Sequence, residues 1–229
     1  MNAPLSLNRV FRALLRAYGP QHWWPGDTPF EIAIGAILTQ NVAWTNVETA
    51  IAQLKEKRLL APRALDAIPA PRIAPLIRST GYYNQKAIKL KNFLAWFAGY
   101  RYSFARLHGV DTERLRRELL AVSGIGPETA DSILLYALGR KLFVVDAYTV
   151  RLLGRLGIIG GGESYHDVQG LFHRRFRGGV GEYNEFHALI VNHGKYVCRT
   201  RPRCAECCLS RRCLAYHQQG ADAAHAVAG

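Results

Sequence analysis

The sequence predicts an all-α fold. Three observations carry this: apolar residues recur at three- and four-residue spacing, glycine and proline punctuate these stretches throughout, and no long run alternates at period two. With 229 residues, 49% of them hydrophobic, the chain can bury a core as one domain or as two small ones. Collagen-like and disordered chains are excluded by that composition. The longest apolar runs, such as Ile32 to Leu38 and Ile133 to Leu138, fall far short of the roughly 20 residues a bilayer crossing needs.

Each element follows from local pattern. Leu7, Val10, Phe11, Leu14 and Leu15 mark a first helix, closed by Tyr18-Gly19-Pro20. Gln21 to Pro29 reads as an irregular link rich in tryptophan and proline. A buried helix is expected from Phe30 to about Thr39 and another from near Thr45 to Glu56. Shorter helices are expected to begin near Pro62, Pro71 and Asn84, with a further one over Thr112 to Ala121. A Gly-Ile-Gly turn follows, then a helix from Pro127 with Ala130, Ile133, Leu134, Ala137 and Leu138 on one core-facing side. Proline suits its first position because the missing N–H has no intrahelical partner there. Asp146 is expected to cap a helix running to about Arg155, and Gly157 to Gly162 breaks the pattern. Helices near Asp167 to Phe176 and Tyr183 to Asn192 lead into a cysteine segment, and residues 217–229 are expected to be a disordered tail. No internal repeat is present.

Charge and cysteine usage narrow the partners. Thirty Lys and Arg against 17 acidic residues leave a net charge of +13, which attracts polyanions through counterion release. Nucleic acid is the leading partner class, although charge alone does not separate DNA from RNA or from an anionic membrane surface. The N-terminal residues lack the pattern of a secretory signal, so a cytoplasmic location is expected. All five cysteines fall between Cys198 and Cys213, as Cys198-x5-Cys204-x2-Cys207-x5-Cys213 with Cys208 left over. An odd number in one short segment points to a metal site in a reducing compartment rather than a disulfide framework. Four thiolates can close on tetrahedral zinc or on an iron-sulfur cubane, and spacing alone does not choose between these or free thiols. Arg199, Arg201, Arg203, Arg211 and Arg212 surround them, either as a phosphate clamp or as solvated surface charge.

Two further motifs suggest chemistry. In Val122-Ser123-Gly124-Ile125-Gly126-Pro127-Glu128-Thr129-Ala130, a Gly-x-Gly turn opens directly into a helix and presents backbone N–H groups to a phosphate. Downstream, Asp146 follows Val144-Val145. A helix cap is its ordinary role, and a helix N-terminus would also keep it ionised.

The hairpin, Asp146 and the cysteine spacing, in this order, resemble the helix-hairpin-helix and Gly-Pro-Asp superfamily of DNA glycosylases, typified by endonuclease III, over about Leu7 to Tyr216. The resemblance implies a two-domain all-α fold: residues 28–138 as a six-helix domain holding the hairpin, and 1–27 with 139–216 as a discontinuous domain holding a cluster loop. It implies Gly124, Gly126 and Thr129 as DNA-binding residues and Asp146 as the catalytic carboxylate. It also implies a 4Fe-4S cluster on Cys198, Cys204, Cys207 and Cys213, with Cys208 as a possible replacement for Cys207. The family spaces its cysteines six, two and five, so the first gap here is one residue shorter; Val122-Ser123-Gly124 likewise replaces the usual Leu-Pro-Gly. Double-stranded DNA is the implied partner, bound by a monomer.

The most discriminating departure is Glu128. It stands where endonuclease III has the lysine that forms a Schiff base with the sugar. A glutamate forms no imine, so the expected activity is monofunctional hydrolysis of the N-glycosidic bond, with Lys141 the nearby candidate for a substitute amine. Trp23-Trp24-Pro25 and Ile37 to Trp44 resemble the 3-methyladenine glycosylase III branch, where aromatic residues sandwich an extruded methylpurine. That makes Trp23, Trp24 and Trp44 candidate pocket residues for a cationic alkylated base, against the alternative that they fill a core. Gln40 and Tyr82 match positions that enter the gap left by base extrusion. His187 and His193 read as packing or DNA-facing residues. Two other activities stay open: an endonuclease III-type glycosylase and lyase acting on oxidised pyrimidines, and a catalytically silent cluster-bearing DNA-binding protein.

Overall fold

A computed structural model describes residues 5–23 and 26–218. Among these residues every regular element is helical. They divide into two compact units: a continuous one, 26–140, and a discontinuous one that joins 5–23 to 141–218. Part of the expected tail, from residue 219 onward, lies outside the described residues, as does Trp24.

The first helix, α1 (Leu7–Tyr18), belongs to the discontinuous unit and buries Leu7, Val10 and Leu14. The continuous unit starts at α2 (Pro29–Leu38), where the Thr28 side chain accepts a hydrogen bond from Glu31 N at 3.1 Å and proline takes the first turn. Eight of its residues are buried, as expected of a helix apolar all round. The next elements are α3 (Trp44–Glu56), α4 (Pro62–Asp66) and α5 (Ala70–Ile73), the last running into tight turns over Ala74–Thr80. Then α6 spans Tyr83–Gly99, with Ala87, Leu90, Phe93, Leu94 and Phe97 buried. A short helix was expected there; the three- and four-residue spacing of those five apolar positions sustains 17 residues instead.

A further short helix, α7 (Phe104–His108), has no counterpart in the sequence expectations. It precedes α8 (Thr112–Ala121), capped by Asp111, which accepts from Arg114 N at 2.9 Å. After the hairpin turn, α9 covers only Pro127–Ser132 and then widens to a π-type turn over Ile133–Ala137. The expected one-sided α-helix is corrected here. Leu135, off the expected face, is only 2% exposed beside Ile133 and Leu134. The wide turn thus brings one more leucine inward than α-helical spacing would.

In the discontinuous unit, α10 (Ala147–Arg155), α11 (Tyr165–Arg175) and α12 (Val180–Tyr196) follow. A reciprocal capping box between Ser164 and Asp167 starts α11, and α12 extends beyond the expected Tyr183 to Asn192 at both ends. α1 packs on α11 and α12. The joint is aromatic: Phe11 meets Phe176 and Phe186 edge-on, both at 5.3 Å between centroids, while Phe143 stacks on Phe172.

Candidate functional site

In the continuous unit the hairpin Ser123-Gly124-Ile125-Gly126 joins α8 to α9. Gly124 has φ 94°, in the left-handed region where a side chain is strained, and a Cβ there would also collide with the stem of Lys89. Gly126 differs. Its backbone is extended (φ −92°, ψ 178°) and a Cβ would meet nothing within 4 Å, so no neighbour in the chain requires glycine there. Below the turn, Arg116 on α8 grips the fully buried Asp131 on α9 through two bonds of 2.7 and 3.1 Å. That bidentate pair fixes the angle at which the two helices present the turn.

Gln40 lies against this hairpin. Its Nε2 donates to Gly124 O at 3.1 Å and to Thr129 Oγ1 at 3.0 Å, and Lys89 Nζ donates to its Oε1. Tyr82 is 72% exposed and holds φ 45°, a left-handed conformation rare for an aromatic residue, at the N-cap of α6. Trp44, half-buried, opens α3. Glu128 is exposed in the first turn of α9.

In the discontinuous unit Asp146 caps α10, accepting from Thr149 N at 2.7 Å through Oδ1. Its Oδ2 lies 3.5 Å from His187 Nε2 on α12, both side chains being largely buried. Burial opposes ionisation of Asp146, but the His187 contact and the bonds from Thr149 outweigh it and hold the carboxyl below its ordinary value. Trp23 stacks on the His187 ring at 5.7 Å with planes 12° apart. Nothing in sequence spacing relates the residues of this Trp23–His187–Asp146 stack, which lie far apart in the chain. Lys141, by contrast, lies with Nζ 5.3 Å from the centre of the Tyr183 ring, a cation-π contact.

The cysteine segment forms the second feature of this unit. Cys198, Cys204, Cys207 and Cys213 line one small hollow, partly open to solvent, together with Arg155, Val197, Pro202 and Tyr216. Cys208 is exposed and absent from that lining. Arg155 braces the loop, donating to the carbonyls of Cys198, Arg199 and Thr200 and to Cys198 Sγ at 3.2 Å. The Leu209 N–H points at Cys207 Sγ at 3.4 Å, and fully buried His193 lies between that sulfur (3.6 Å) and Tyr18 Oη (2.6 Å). Burial pushes the Cys207 thiol up to about 11, so only a bound cation would make it a thiolate at neutral pH. Among the described residues no three His, Cys, Asp or Glu side chains are arranged to hold a single metal ion. Four thiols facing a common hollow fit the donor set of a larger group.

A glycine hairpin between helices in one unit, and a buried carboxylate at a helix start in the other, fit the helix-hairpin-helix class of DNA-repair proteins that the sequence resembles. The chain belongs to the HhH-GPD superfamily of base excision DNA repair proteins, which matches residues 34–177. It is a DNA glycosylase of the endonuclease III type. A Methanocaldococcus jannaschii protein, whose name assigns it provisionally to the DNA repair glycosylases, is 44% identical over 90% of this chain and 94% of its own length. Endonuclease III of Sulfolobus acidocaldarius is 29% identical over 82% of each chain. Among solved structures, the H. pylori 3-methyladenine DNA glycosylase bound to 1,N6-ethenoadenine superposes with TM-score 0.72 at 29% identity, covering 83% of this chain and 98% of that one. A non-covalent endonuclease III–DNA complex superposes with TM-score 0.80 at 23% identity, covering 93% and 96%, a likeness of fold. No helix among the described residues is long and apolar enough to cross a membrane.

Proposed function

We propose that this protein is a monofunctional glycosylase that hydrolyses the N-glycosidic bond of an alkylated purine in duplex DNA. The observation that carries the reading is Asp146: a buried carboxylate kept ionised by His187 and by a helix N-terminus suits stabilisation of a cationic sugar and orientation of the attacking water. Monofunctionality rests on Glu128, which offers no amine where the endonuclease III resemblance puts one, and on Lys141, which is engaged with Tyr183. An alkylated purine is supported by the resemblance of the Trp23 and Trp44 segments to the 3-methyladenine branch and by the likeness to the H. pylori enzyme. An N-methylated purine is cationic, so aromatic faces favour it over the normal base, and its charge makes it a leaving group without an acid.

DNA would be held by the hairpin. Gly126, with open space where a Cβ would stand, leaves room for a phosphate against the Gly124–Gly126 backbone. The strained, exposed Tyr82 suits a wedge into the stack, and Gln40 a second probe at the same gap. Cys198, Cys204, Cys207 and Cys213 would hold a 4Fe-4S cluster, which would lock the loop that carries Arg199, Arg201 and Arg203 against the DNA backbone.

The test is base release from a panel of duplexes carrying 3-methyladenine, 1,N6-ethenoadenine, thymine glycol or no lesion, with borohydride present in parallel. Release of methylpurine without a trapped covalent complex is expected. Efficient trapping on the thymine glycol duplex would establish the lyase reading instead, and tight lesion binding without any release would establish the silent DNA-binding protein.

A further inference from the structure

One flank of α6 ties together the three segments of the continuous unit assigned to DNA. Lys86, Lys89 and Asn92 follow at three-residue steps, so their side chains leave neighbouring turns of the same flank. Lys86 Nζ is buried and donates to Leu38 O at 2.8 Å and to Thr80 O at 2.6 Å. Each carbonyl lies two residues before a probe: Leu38 before Gln40, Thr80 before Tyr82. Lys89 Nζ donates to Gln40 Oε1, and its stem covers Gly124. Asn92 Nδ2 donates to Ser123 O at 3.0 Å, inside the hairpin. Gln40 closes the circuit with its own bonds to Gly124 O and Thr129 Oγ1.

We propose that Lys86, Lys89 and Asn92 are positioning residues that hold the Gln40 turn, the Tyr82 turn and the hairpin in one register, so that both probes meet the base stack at a set distance from the phosphate the hairpin grips. The inference rests on the DNA-probing reading of Gln40 and Tyr82. A methionine would fill the Lys86 site at less desolvation cost than a buried ammonium. What the ammonium adds is a direct bond to each of the two turns, beside the packing of α3 on the Ala74–Thr80 segment. The same logic explains the bonding of Gln40, whose amide nitrogen and oxygen are both engaged and whose side chain is therefore aimed before DNA arrives.

The experiment uses the full chain and two duplexes: one intact, the other with a tetrahydrofuran abasic analogue beside 2-aminopurine, whose fluorescence rises when a side chain enters the gap and unstacks it. Wild type is expected to prefer the gapped duplex and to raise the fluorescence. Lys89→Met, at a half-buried site, should lower that preference by about tenfold, in the range of coupled residue pairs; the preference is read as the ratio of the two affinities, so that any phosphate attraction lost from both duplexes cancels. In a Gln40→Ala background the same substitution should cost nothing further. Lys86→Met, with folding checked by circular dichroism, should behave likewise against the Gln40→Ala, Tyr82→Ala double variant. If Lys89→Met exacts its full penalty on the Gln40→Ala background, the lysine is merely structural and the inference falls while the probing reading stands. A wild type that does not distinguish the two duplexes overturns both.

Discussion

At Asp146 the two carboxylate oxygens are engaged differently: Oδ1 accepts from the α10 backbone and Oδ2 faces His187, and the proposed reading adds catalysis to the cap. Asp146→Asn keeps a capping oxygen but removes the charge, so base release should fall by about a hundredfold or more with DNA binding retained. An unchanged rate would reduce Asp146 to a cap. The sign of its pH response follows from the lowered carboxyl. Its ionisation contributes stability that is fully present above the unfolded value near 3.8 and is lost as pH falls through the lower folded value. Asp146 should therefore impose no acid limb on base release above about pH 4, which a rate profile from pH 4 to 8 checks. Glu128→Lys restores an amine to the hairpin and should gain measurable borohydride trapping, whereas Lys141→Met should leave trapping absent. The Asp146 cap and the grouping of four cysteines were legible in the sequence because each lies in a local pattern. His187 was not, because its role is set by how α12 packs on α10, which no local pattern records.

Among the elements, α8, the hairpin and α9 work as one piece because Arg116 and Asp131 lock them from beneath. Arg116→Met removes the partner of a fully buried carboxylate and should cost about 3 kcal/mol, read from the urea midpoint. Adding Asp131→Leu should recover much of that loss, since it removes the buried carboxylate that Arg116 held. Full recovery of stability with weakened DNA binding would show that the pair sets the presentation of the turn rather than its folding. Helix positions were read well wherever an N-cap and apolar spacing agreed, as at Thr112–Ala121 and after Asp146. Length was misread at α6, where exposed polar residues between the apolar positions hid a long amphipathic helix. The π-type turn over Ile133–Ala137 was hidden too, because a continuous apolar run looks the same whichever helical pitch buries it.

For the molecule as a whole, a net charge of +13 should give DNA affinity that falls steeply and linearly with salt on logarithmic axes. A flat response would rule out phosphate contacts as its source. The purified protein should carry about four irons and a broad visible absorption; Cys208→Ser should keep them and Cys207→Ser should lose them. One equivalent of zinc in a colourless protein would overturn that cofactor. The cysteine loop belongs to the unit whose parts are separated in the chain: Tyr18 reaches His193 at 2.6 Å and Gln21 accepts from Asn192 at 2.7 Å. During synthesis α1 leaves the ribosome first, yet its docking partners emerge last. Residues 26–140 complete their own contacts in the meantime, while the apolar face of Leu7, Val10 and Leu14 waits uncovered until α12 is made. Nascent chains stalled before α12 should therefore bind chaperones through Leu7–Tyr18 and shed them once α12 is made, an order of events written into where the chain crosses between units.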